Sequence, residues 1–238
     1  MLAALSAAFS DLFRPRMLGL VIWPLIGALV LWVLIAVFFW HDMVDGLRAL
    51  IAWAVSQHWF SDSVARVLSE WIVAVVLLAA IPPLTLATAL FITSLVAMPV
   101  MVSDVAGRVY PQLERKHGGS NLGSLWNATI ATLIYLALWV VTLPLWLFGV
   151  PALVLPVVLN GWLNEKLFRY DALAEHASRG EYGSLVARHR GALFGIGAIS
   201  ALVQTLPFVN ILSPVFTGLS FIHYGLARLE ALRSENAP

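Results

Sequence analysis

Residues 191–227, GALFGIGAISALVQTLPFVNILSPVFTGLSFIHYGLA, contain no Asp, Glu, Lys or Arg, and His223 is the one side chain among them that titrates near neutral pH. A helix that crosses a bilayer needs about 20 mostly apolar residues, so this stretch is too long for one span and must double back. Thr205-Leu206-Pro207, followed after six residues by Pro214, marks the turn. Proline removes a backbone donor and breaks the helix behind it. The same T-L-P-x6-P spacing recurs at Thr142-Leu143-Pro144 and Pro151, inside a second uncharged run from Gly118 to Asn164. Each proline cluster therefore reads as the apex between two helical arms. The arm from Gly191 to Leu206 makes roughly 24 Å of helix, against a hydrocarbon core of about 30 Å. Two readings stay open: a hairpin that enters and leaves by the same face, and a pair of complete spans. An irregular apex at membrane depth must be buried in protein or line a wet cavity. Repeated discontinuous segments of this kind point to transport sites.

Outward from these runs the rest of the chain agrees. Of its 238 residues 61% are hydrophobic and 11% charged, where a soluble domain averages about 45–50% and about 25%. Too few polar groups exist to cover a surface in water, which excludes a soluble enzyme or free binding domain. Ten Trp, twelve Phe and five Tyr suit a chain that meets two membrane interfaces. A net charge of +1 gives no reason to expect nucleic acid, and the lack of cysteine excludes disulfides and thiolate chemistry. Met17 to Trp40 and Trp71 to Ser103 are two further uncharged runs, each fit for one span. The second carries Pro82-Pro83 as an expected kink. The first is preceded by Arg14 and Arg16 and is too long for the apolar part of a signal peptide. Before it, Leu2, Leu5, Phe9, Leu12 and Phe13 form a stripe at helical spacing with Ser6, Ser10 and Asp11 opposite. This predicts a helix lying on the membrane surface. The mixed segment Val44 to Phe60 reads as a second surface or extramembrane helix. With residues 41–70 outside, twelve Lys and Arg fall on the other side against two, so both termini are expected to be cytoplasmic.

Few polar side chains lie where hydrocarbon would penalise them. Asn210, at the second apex, either meets a passing anion or caps a helix end. Gln204 and Asn160 are weaker candidates. Asp104 and Arg108, four apart, can pair on a helix, as a gate or as an ordinary surface pair. Gly191 with Gly195, and Gly218 with Gly225, lie on shared faces that let helices approach closely. The six histidines show no metal-binding spacing, and His223 reads as a proton relay or a hydrogen-bonded structural residue. Neither a nucleophile motif nor a nucleotide loop is present, so no enzyme, metal or cofactor is expected.

Three blocks resemble the CysZ sulfate permeases, grouped with the etoposide-induced membrane proteins. Arg14-Pro15-Arg16-Met17-Leu18-Gly19-Leu20-Val21-Ile22-Trp23-Pro24 is similar to the family's P-G-[LI]-R-R-F-V-x-x-P. Ala97-Met98-Pro99-Val100, running on to Glu114, is similar to its A-x-P-F-N…E. Phe194-Gly195 through Leu206-Pro207-Phe208-Val209-Asn210-Ile211-Leu212-Ser213-Pro214 is similar to its F-G…I-P-[LF]-x-N-L…P. The resemblance implies two long spanning helices, two partly penetrating helical hairpins, homo-oligomers and sulfate uptake across the bacterial inner membrane. Two departures bear on substrate. The family's Gly-Leu-Arg-Arg falls on Arg16, Met17, Leu18 and Gly19, and its P-F-N on Pro99, Val100 and Met101.

The expectation is thus an all-α, polytopic helical membrane protein. An interfacial helix covers 2–16, spans 17–40 and 71–103, a periplasmic segment 41–70, cytoplasmic loops 104–122 and 165–190, and helical pairs 123–164 and 191–227. Its partners are the lipid bilayer, sulfate or another small anion, and further copies of itself. Arg14, Arg16 and Asn210 are the anion-binding candidates, with Asp104 and Arg108 as gate. The alternative is a membrane scaffold of the same fold that transports nothing.

Overall fold

The computed structural model describes residues 1–56, 73–142, 144–145, 149–206 and 209–236, and among them it contains helices and no strand. In order these are α1 (Leu2–Leu12), α2 (Pro15–Ser56), α3 (Val73–Val109), α4 (Asn121–Thr142), α5 (Val150–Leu173), α6 (Arg179–Gln204), a 3-10 turn (Val209–Ile211) and α7 (Ser213–Glu235). The chain is an all-α helical membrane protein, as the sequence predicts. Two stretches of the described residues, Pro15–Leu50 and Leu122–Thr142, are long and apolar enough to cross a bilayer. Only 11% and 6% of their most apolar windows are buried, so neither is the core helix of a soluble protein. Trp71, the tail of the 44–60 segment, Leu143 and Pro207 lie outside the described residues.

Two compact units are formed, one from residues 1–20 with 94–238, the other from residues 21–93. In the smaller unit, α2 keeps Pro24 inside the helix and departs from helical geometry at Phe39 (φ −114°, ψ 19°), beside the expected end of the first span. Trp23 and Phe38 are largely exposed, the arrangement of a lipid-facing helix. The indole Nε1 of Trp32 donates to Thr88 Oγ1 at 3.0 Å, which satisfies two polar groups in an apolar setting.

The larger unit is built around α7, whose residues Val215 to Leu226 are all buried. A helix that is buried all round must satisfy its own polar groups. Thr217 and Ser220 do so by donating to the carbonyls of Ser213 and Phe216, each at 2.7 Å. One stripe of the C-terminal part of α3, Ala97, Met98, Met101, Val102, Val105 and Ala106, is buried, at the i, i+1, i+4, i+5 spacing of one helix face. Gly218 of α7 lies against this stripe, since a Cβ there would stand 2.6 Å from Met101 Cε. α1 packs on α7 through Ala8, Asp11 and Leu12 and leaves Leu2, Phe9 and Phe13 exposed. Asp11 therefore faces the core and not the polar side assigned to it from spacing. Leu2, Phe9 and Phe13 form the exposed apolar face of α1.

The end of the unit that carries the charges is locked by one arginine. Ser178 and Glu181 form a capping box that starts α6, satisfying its orphan donors. The Glu181 carboxylate also accepts from Lys116 Nζ at 2.9 Å and Arg233 Nε at 3.0 Å, and Arg233 reaches on to the carbonyls of His176 and Glu114. Beneath lie Leu173, Ala177, Leu185, Leu229 and Leu232. Burial pushes the Glu181 carboxyl up. Arg233, the Ser178 N–H and Lys116 outweigh it and bring it from an ordinary 4.5 to about 2. A carboxyl depressed in the fold stabilises fully above its unfolded pKa, and that contribution is lost as pH falls from about 4.5 through about 2. The loss is worth about 3 kcal/mol. Melting of detergent-solubilised protein is expected to show a steep fall over this window, and Glu181→Gln to flatten it. An identical pH profile for the variant refutes the assignment.

Candidate functional site

Four of the five residues singled out from sequence belong to one network in the larger unit. Pro15 starts α2, a position where its missing N–H costs nothing, and the sharp turn before it sets Arg14 and Arg16 beside the end of α1. Arg14 Nε lies 2.6 Å from Asp11 Oδ1, and Arg16 Nη1 lies 2.8 Å from Asp104 Oδ1. Arg108 pairs with Asp104 one turn earlier on α3, through Nε at 2.8 Å, and sends Nη2 to Asp11 Oδ2, also at 2.8 Å. His223 of α7 completes the set, its Nε2 3.1 Å from Asp11 Oδ2. With an ionised Asp11 as acceptor, this ring nitrogen carries the proton.

The carboxylates and His223 are the buried members, with side chains 8% and 9% exposed for Asp11 and Asp104, while Arg14 and Arg16 are 49% and 63% exposed. Burial raises the Asp11 carboxyl. Hydrogen bonds from Arg108 and His223 more than offset this and hold it below the ordinary carboxylate range. Three guanidinium groups face two carboxylates, so the network carries a surplus positive charge. Its outer N–H groups, on Arg14 and Arg16, are those open to an approaching anion. Planar guanidinium forks match oxyanions well.

Asn210 stands apart. It is exposed on the 3-10 turn, its backbone N–H donates to the Leu206 carbonyl, and its own carbonyl accepts from Ser213 Oγ at 2.9 Å. Ser213 to His223 is roughly 15 Å along α7, so Asn210 is not part of the arginine network. The weaker candidates are tied elsewhere. Asn160 accepts from Tyr135 O–H at 2.8 Å, and Tyr135 accepts from Trp139 Nε1 at 2.7 Å. Gln204 and Asn164 exchange long amide contacts of 3.4 and 3.5 Å, and Asn164 also reaches the Gly197 carbonyl. These amides join neighbouring helices.

Spacing alone missed Asp11 as the hub. A signal was present: Asp11 is the only carboxylate before Asp42 and sits three residues after Ala8 and one before Leu12. Those three share a helix face. Its link to His223, 212 residues away, has no local signature. A family model described as sulfate transporter CysZ/etoposide-induced protein 2.4 matches residues 4–214. No curated protein and no solved structure matches the chain.

Proposed function

The chain belongs to the sulfate transporter CysZ/etoposide-induced protein 2.4 family, and from that premise we propose that it passes a small oxyanion, sulfate foremost, across a membrane. The observation that carries this reading is the surplus guanidinium in a network whose carboxylates are buried and whose Arg14 and Arg16 are open. An anion arriving at Arg16 competes with Asp104 for the same N–H groups, so Arg16 exchanges one oxyanion for another at little electrostatic cost. Arg108, bound to both carboxylates, stays and acts as gate. Asn210 and the N-terminal turn of α7 then replace part of the hydration shell at the apex. Both termini lie in the cytoplasm, the membrane is the bacterial inner membrane, and the chain works as a homo-oligomer without cofactor or catalysis.

One observation favours a second reading, a membrane scaffold that moves nothing. Arg14 and Arg16 are each already paired with a carboxylate, at 2.6 and 2.8 Å. Sulfate uptake into liposomes separates the two. Wild-type uptake is expected above that of empty vesicles, with Arg16→Ala lowering it about tenfold, the loss of one charge-assisted hydrogen bond. Asp104→Asn frees Arg16 and is expected to raise uptake at low sulfate. Uptake equal to that of empty vesicles rejects transport of sulfate and leaves the scaffold.

A further inference from the structure

A cleft of about 490 Å³ opens beside the loop that joins α3 to α4. Its walls are that loop from His117 to Ser120, Gly123 in the first turn of α4, Tyr170 near the end of α5, and Arg179 and Tyr182 at the start of α6. His117 adopts φ +47°, a left-handed turn uncommon for a residue with a Cβ. It lays Gly118 and Gly119 against the end of α5, where a Cβ on Gly118 would stand 2.4 Å from the Ala177 carbonyl.

The carbonyls of Ala174 and Ala177 are taken by the N–H groups of Gly119 and Gly118, each at 2.9 Å. Tyr170 Oη accepts from Ser120 N–H, Tyr182 Oη accepts from Arg169 Nε, and Ser120 Oγ accepts from Gly123 N–H. Each of these hydroxyls has spent an acceptor lone pair and still has its own proton to give. Arg179 is exposed and has no carboxylate partner among the described residues. No carboxylate is among the described residues of the lining. Besides these hydroxyl protons the cleft offers the Arg179 guanidinium, and together they suit an oxyanion.

An apolar face begins one turn from the cleft. Leu122, Leu125, Trp126 and Leu133 of α4 are 79%, 63%, 68% and 62% exposed. They lie on one side of a helix long and apolar enough to cross a bilayer. A free phosphate or sulfate would use the donors and leave this face idle. A phospholipid uses both. We propose that the cleft holds the phosphate of an anionic phospholipid, with its acyl chains along the exposed face of α4. Basic pockets between membrane helices take headgroups in this way. The site is independent of anion transport, since a chain that moves no sulfate still holds the lipid.

The test uses the full chain, purified in detergent and stripped of lipid. Phosphatidylglycerol, phosphatidylcholine or inorganic phosphate is added, bound lipid is counted by native mass spectrometry, and the melting midpoint is followed. Phosphatidylglycerol is expected to be retained and to raise the midpoint, while phosphatidylcholine and phosphate do neither. Arg179→Ala is expected to melt like wild type without lipid and to weaken phosphatidylglycerol retention about tenfold. Arg190→Ala, which alters an arginine outside the cleft lining and also without a carboxylate partner among the described residues, is expected to retain it fully. Trp126→Ser is expected to weaken retention as well. Equal retention by Arg179→Ala and wild type overturns the proposal. So does a midpoint raised as far by inorganic phosphate as by phosphatidylglycerol, which makes this a site for a free anion.

Discussion

Asp11→Ala is expected to destabilise the protein by about 3 kcal/mol, a fall of roughly 6–12 °C in the melting midpoint. The size follows from what is left behind. Asp11 accepts from Arg14, Arg108 and His223, on three separate segments, and its side chain is 8% exposed. Deleting one partner of a buried ion pair leaves the other charge uncompensated, which is why breaking such a pair costs several times what a surface pair contributes. Arg108 keeps Asp104 as a partner, and this holds the loss near the low end of the range. Asp11→Asn keeps the shape and one acceptor oxygen, so about half the loss is expected to return. His223→Gln in the Asp11→Ala background is expected to add little, because the hydrogen bond is already gone; a double-mutant cycle measures that coupling. A loss below 1 kcal/mol for Asp11→Ala removes Asp11 from its place as the hub. In liposomes the same variant is expected to lower sulfate uptake, since α1 then no longer fixes Arg14.

How far the chain could be read beforehand depends on the range of the interaction. Uncharged run length and proline spacing act over one helix, and they gave the helical class and the breaks that follow Thr142 and Gln204. Pairing of Asp104 with Arg108 is also local, one turn of α3. Burial of α7 was not legible. Its uncharged stretch up to Ala227 reads as a membrane arm, because lipid and protein interior both accept apolar side chains. The inward direction of Asp11 had one local sign, the face it shares with Ala8 and Leu12, which a charged residue's default toward water outweighs until its distant partners are known. Asn210, the amide at the second break, is tied into its own turn through its backbone and leaves its side chain exposed.

The glycines make the same point and carry the second large expectation. Gly191 and Gly195 have the spacing of a helix-packing pair, yet a Cβ on Gly191 meets nothing within 4 Å and one on Gly195 meets only the flexible Met1 side chain. The close crossing is elsewhere, between α5 and α6. A Cβ on Gly197 would stand 2.2 Å from the Gly161 carbonyl oxygen, and one on Gly161 would stand 2.9 Å from Ala198 Cα. Both obstacles are backbone, which cannot swing aside as a side chain can. Gly197→Ala therefore forces the helices apart and is expected to cost about 3 kcal/mol, the upper end for overpacking, and Gly197→Leu to yield no folded protein in detergent. Gly191→Ala is the control. Its site is exposed and open, and alanine is the better helix former by about 1 kcal/mol, so the variant is expected to melt at or slightly above the wild-type midpoint. If Gly197→Ala melts with it, the α5–α6 crossing is looser than the structure has it. The Asn164–Gln204 contacts beside Gly197 would then give way too, because the same close approach holds both amides in reach.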